Sequence, residues 1–160
     1  MLYLKVLIRW QTAILFAFCF AGCRQRPAAY KYLPAPVEGW EQGDTLRYHI
    51  DSLNESGIYQ LKLGLRVSAS RPYPFQSIWL AIRQNWYNPD TTFTDTVECR
   101  LTDNKGDVSG RGVSLYTLTR PVKLMKLHKG TSADIGIIHI MRREMLPGVA
   151  DIGIRLERKP

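Results

Sequence analysis

From Asp44 onward the apolar residues of this chain recur at every second position, and that period limits the fold more than any other feature. Leu46, Tyr48 and Ile50 alternate with Arg47, His49 and Asp51, and Tyr59, Leu61, Leu63, Leu65 and Val67 alternate with Gln60, Lys62, Gly64, Arg66 and Ser68. Val97, Cys99 and Leu101 repeat the pattern, as do Ile152, Ile154 and Leu156. Successive side chains of an extended strand point to opposite faces, whereas a helix needs apolar residues three and four apart. These segments therefore predict strands with one buried face each. The runs 77–82 and 135–141 are apolar on both faces and are expected to be central strands. Strands near 111–118 and 122–127 complete a set of about eight, and only 142–146 suits a helical turn. Turn-forming clusters stand between them, among them Asn54-Glu55-Ser56-Gly57, Asn88-Pro89-Asp90 and Asp103-Asn104-Lys105-Gly106-Asp107. The expected fold is all-β, an antiparallel β-sandwich, with the jelly roll as one candidate form. At 160 residues and 45% hydrophobic content a single packed domain is expected, and no repeat is visible.

The N-terminus is of a different kind. Lys5 and Arg9 precede an uncharged stretch from Trp10 to Cys23, and no acidic residue occurs before Glu38. A bilayer-spanning helix needs about 20 apolar residues, so this shorter stretch suits an export signal. It closes with Phe20-Ala21-Gly22-Cys23, which resembles the lipobox of bacterial lipoproteins except that Leu is commoner where Phe20 stands. That resemblance implies residues 1–22 as a lipoprotein signal peptide, cleavage before Cys23, and acylation of the Cys23 thiol as the contact with membrane lipid. An ordinary signal peptide ending at Ala21-Gly22 is the plainer alternative. Cleavage before Cys23 leaves 138 residues and lowers the net charge from +8 to +6, because Lys5 and Arg9 depart. Cys19 also departs and Cys23 is taken by lipid, so Cys99 stands alone, without a disulfide or a cysteine-based zinc site. Residues 23–43 carry Pro27, Pro34 and Pro36 without amphipathic period, and read as the lipidated end and an extended tether. Residues 44–160 are the expected sandwich domain.

Tests for chemistry give little. The histidines His49, His128 and His139 show no metal-binding spacing, and His139, in a two-sided apolar run, reads as a core residue. No Gly-x-Ser-x-Gly occurs, and Cys99 alternates inward as an inert thiol. Asp95 and Glu98 are oddly spaced on one strand and so fall on opposite faces, while Asp103 and Asp107 belong to a turn without the ligand pattern of a calcium loop. Catalytic residues, metal ligands and cofactors are therefore all assigned as none. Arg120, Lys123, Lys126 and Lys129 form a basic stretch; in an exported chain this favours an edge strand guarded by lysines over a nucleic-acid partner. The aromatic segment Tyr73, Phe75, Trp79, Trp86 and Tyr87 is the richest candidate for recognition. Phe75 and Trp79 are expected in the core. Trp86 and Tyr87 precede a loop and are the expected interaction surface, with burial at a strand end as the alternative.

Several segments together resemble the gliding motility lipoprotein GldH family of the Bacteroidetes. They are Tyr59-Gln60-Leu61-Lys62-Leu63, the run from Arg71-Pro72-Tyr73 to Ile78-Trp79-Leu80, Asp95-Thr96-Val97-Glu98, Gly110-Arg111-Gly112 with Leu115-Tyr116, and Met141-Arg142 with Leu146-Pro147-Gly148-Val149-Ala150-Asp151-Ile152-Gly153-Ile154. Val108, Gly64 and Ser68 depart from the bulkier or more apolar residues expected at their places. The resemblance implies a non-enzymatic envelope lipoprotein, a structural or assembly component of gliding or of the linked secretion machinery, with envelope proteins as partners. A surface carbohydrate-binding lipoprotein using Trp86 and Tyr87 is the alternative. The basic Arg24-Gln25-Arg26 after Cys23 differs from the acidic residues of surface-exposed lipoproteins, so an outer-membrane anchor with a periplasm-facing domain is expected.

Overall fold

The computed structural model describes residues 26–103 and 105–160; Cys23 and the signal segment lie outside them. Ten strands and no helix are present among the described residues: β1 Ala29–Pro34, β2 Trp40–Glu41, β3 Leu46–Ile50, β4 Gly57–Ser68, β5 Ser77–Tyr87, β6 Thr91–Arg100, β7 Leu115–Leu127, β8 Ser132–His139, β9 Met145–Leu146 and β10 Val149–Arg158. Two four-stranded antiparallel sheets, ordered β1-β10-β4-β7 and β3-β8-β5-β6, pack face to face, and β2 pairs with β9 at one end. Omitting that short pair leaves eight strands. Consecutive strands mostly alternate between sheets, and the first and last long strands pair with each other, which is the jelly-roll order.

Alternation builds the core as expected. Tyr59, Leu61, Leu63, Leu65 and Val67 from β4 face Ile78, Leu80 and Ile82 from β5, joined by Ile135 and Ile137 from β8 and Ile152, Ile154 and Leu156 from β10. Tyr48 pins the two sheets together, its buried hydroxyl donating to the Ile152 carbonyl at 2.8 Å. Gln84, fully buried, accepts from the Trp86 indole at 3.2 Å and donates to Asp95 at 2.6 Å. The Lys123 ammonium lies 3.3 Å from the other Asp95 oxygen. This chain of polar contacts ties β5 and β6 to β7 along one side of the sandwich and gives the buried Gln84 amide and Trp86 indole their partners.

Several expectations need correction. The segment 23–43 is not extended tether throughout: Ala29–Pro34 pair with β10 as an edge strand, and Ala35 and Trp40 are buried. The prolines that argued against a helix are compatible with an edge strand, where a missing N–H faces solvent. The segments 111–118 and 122–127 are not two strands. β7 runs unbroken through Pro121, which a bulge against Leu61 and Lys62 accommodates on this edge. The run 77–82 and residues 135–139 of the second run do lie in the central strands β5 and β8, with Ile140 and Met141 beyond the end of β8, but each is buried on one face only, and Trp79 points outward at 43% exposure. Residues 142–146 form no helical turn; they bend into β9.

Glycines explain two of the family-like segments. Gly148 turns β9 into β10 at φ +85°, and a Cβ there would come within 2.7 Å of the Arg71 carbonyl, so the Leu-Pro-Gly and Arg-Pro-Tyr segments meet. Gly64 and Gly153 lie opposite each other on the outer face of the first sheet, beneath the Tyr32 ring. A Cβ on either would collide with that ring, and Arg66 stacks over it at 3.9 Å. The glycine that interrupts β4 is thus the seat of a tyrosine from the edge strand.

Candidate functional site

The sequence-predicted surface separates into its two residues. Trp86 shares the inward face of β5 with Ile78, Leu80, Ile82 and Gln84 and is only 3% exposed, so it belongs to the core. The error arose from the strand's length, since β5 continues to Tyr87 and Trp86 falls before the loop. Tyr87 points outward at 41% exposure. Its hydroxyl donates to Asp134 at 2.9 Å, while His49 Nδ1 sits 2.8 Å from the other Asp134 oxygen. The His49 and Tyr87 contacts hold the Asp134 carboxyl below its usual range, and the same bond to Asp134 raises the Tyr87 phenol.

His49 and Asp134 of this trio line a groove of about 740 Å3 on the outer face of the sheet β3-β8-β5-β6. Strand register arranges its floor in rows. Arg47, Gly136, Arg83 and Thr94 form one row across the four strands. His49, Asp134, Asn85 and Thr92 form a second, two residues along, and Ile138, Ala81 and Thr96 belong to a third on the other side. Lys31 reaches the rim from β1. Alternation predicted that Arg47 faces outward, but Arg83 was not singled out and which strands would be neighbours was not readable, so the row itself went unseen.

Elsewhere the titratable residues serve structure. Cys99 is buried, and burial pushes its thiol up to about 11, which suppresses the nucleophilic thiolate. His139 is fully buried, with Nε2 3.0 Å from the Trp40 carbonyl and the ring edge-on to the Trp40 indole at 5.3 Å. Burial lowers its pKa, partly opposed by the Trp40 carbonyl. Asp95 faces the polar chain beneath β6 while Glu98 is exposed on the other face. Asp103 accepts the Lys105 and Asp107 amides and so closes its own turn. No group of three or more metal-ligating side chains occurs among the described residues. Lys123 and Lys126 do lie on the edge strand β7.

The sequence profile of GldH lipoproteins matches residues 28–156, from just before β1 to near the end of β10. The chain belongs to the GldH lipoprotein family. Membership brings with it a lipid-anchored place at the cell envelope. No curated protein matches the chain. Among solved structures, the globular domain of zebrafish complement 1qA protein is 8% identical over 84% of this chain and 100% of that one, with a TM-score of 0.39. The CBM35 from Cellvibrio japonicus Abf62 is 11% identical over 82% and 99%, at 0.35. A family 35 carbohydrate binding module from Clostridium thermocellum is 9% identical over 84% and 96%, at 0.37. Scores this low carry no argument about ligand or function.

Proposed function

We propose that this GldH-family lipoprotein is a non-enzymatic assembly component of gliding motility or of the secretion machinery linked to it. It is anchored in the outer membrane through acylated Cys23, with its domain facing the periplasm. Only five residues separate Cys23 from Ala29, discounting both ends, and at about 3.5 Å per residue they reach no further than about 20 Å. The end of the sandwich where β1 begins, with the loops at 51–56, 88–90 and 128–131, therefore rests close to the lipid.

The observation that carries an assembly role is what gathers at the opposite end. Val37, Trp79, Val113, Leu115, Ile140 and Met145 are all exposed there, with Val113 at 88%. Scattered apolar residues are ordinary on a surface, but a gathering at one end marks a contact with another protein. Placed away from the membrane, it suits a partner reaching down from the periplasm. A photocrosslinking residue at Val113 in native cells should give one discrete adduct that Trp79→Asp abolishes, together with impaired gliding or secretion. A domain that crosslinks to nothing, and whose Trp79→Asp variant leaves both processes intact, contradicts the proposal.

A further inference from the structure

The groove has a composition that neither the lipid anchor nor the apolar end uses. Arg47 and Arg83 stand one strand to either side of Gly136. With strands about 4.8 Å apart their Cα atoms are separated by about 10 Å. The glycine between them leaves a slot, and its absent Cβ would approach only Thr45, at 3.1 Å. Both arginines are exposed, and neither has a hydrogen-bond or ion-pair partner among the described residues. Lys31 adds a third cation at the rim. The acid that lines the groove, Asp134, has both oxygens committed to His49 and Tyr87, which limits how far it offsets the arginines. The floor is thus a cationic slot flanked by the amide of Asn85 and the hydroxyl of Thr94.

Size and shape narrow the occupant. Small-ligand sites occupy roughly 300–1,000 Å3, and the groove at about 740 Å3 lies within that range. The inner strands β8 and β5 are paired on both sides, and the edge strands β3 and β6 leave only their outer edges open, so an added peptide strand finds no free backbone edge inside the slot. Arginine pairs recognise a carboxylate through two parallel N–H donors each, and amide and hydroxyl side chains beside them suit the hydroxyls of a sugar. We infer that the slot between Arg47 and Arg83 binds a carboxylate-bearing saccharide, its acid group over Gly136 and its hydroxyls toward Asn85 and Thr94. Of the alternative glycan site, Trp86 is buried while Tyr87 is exposed beside Asp134 on this same sheet face, so this inference moves saccharide recognition from the aromatic pair to the arginines, and it does not depend on the anchor or the assembly role.

The test uses the full lipoprotein in detergent micelles and isothermal titration with a galacturonic acid trisaccharide. The uronate should bind saturably, at least ten-fold more tightly than a galactose trisaccharide or inorganic phosphate. Arg47→Gln and Arg83→Gln should each weaken it ten-fold or more, and since both side chains are exposed the variants should fold like the parent by circular dichroism. Gly136→Val fills the slot and should abolish binding. A uronate that binds no better than its neutral counterpart, or undiminished in both arginine variants, overturns the inference. Phosphate binding as tightly as the uronate overturns the assignment to a saccharide.

Discussion

At the scale of single residues, polar and aromatic side chains that sequence patterns flag as functional are here spent largely on packing. Trp86 fills the core and donates to Gln84, so Trp86→Ala should cost about 3–5 kcal/mol, read from the shift of the urea midpoint. Tyr87→Phe, on the surface, should shift that midpoint far less. Equal effects would contradict the burial assignment. Cys99 should resist a thiol reagent at neutral pH until the domain unfolds, and rapid labelling of the native protein would place it at the surface. His139 is neutral in the fold because burial lowers its pKa. Unfolding frees it to take up a proton below its ordinary value of about 6.5. Its contribution is therefore complete above that pH and declines as pH falls toward the folded-state value, by at most about 1.4 kcal/mol per pH unit. His139→Gln should remove that part of the acid sensitivity, measured by denaturation at a series of pH values.

At the scale of elements, the period-two pattern identified β3, β4, β6 and β10 and their inward faces, because each has one dry and one wet side. Where that contrast fails, sequence reading failed too. β1 is a short edge strand whose inward positions include the exposed Lys31, and so it looked like a linker. β7 contains Pro121, which ordinarily ends a strand and here sits in an edge bulge. The groove row depends on β3, β8 and β5 being neighbours, a matter of long-range pairing that no local pattern encodes. The role of β1 has a direct consequence: a chain starting at residue 36 would leave the β10 edge open and should aggregate, whereas one starting at residue 24 should be a soluble monomer by light scattering. Equal solubility would return residues 29–34 to the status of a spacer. Tyr32→Ala, which uncovers Gly64 and Gly153 and removes the Arg66 contact, should destabilise the domain by about 1–3 kcal/mol.

At the scale of the whole molecule, the jelly roll separates three tasks in space. With the proposed anchor at Cys23, the end carrying the first residues of β1 is the one nearest the lipid, the opposite end presents apolar side chains, and one outer sheet face holds the cationic slot. On that proposal the five residues between Cys23 and Ala29 keep the domain near the bilayer. In reconstituted vesicles, headgroup-labelled lipid should quench a fluorophore at Asn54 strongly and one at Val113 weakly; equal quenching would show a domain that tumbles freely on its tether. The membrane placement requires that the mature chain begin with a lipid-bearing residue. Intact mass spectrometry of the membrane-extracted protein, with fragmentation of its first peptide, decides the matter. The account predicts an N-terminal residue derived from Cys23 and heavier than cysteine by two or three acyl chains, and a product that retains residues 1–22 or carries a free thiol at Cys23 contradicts it.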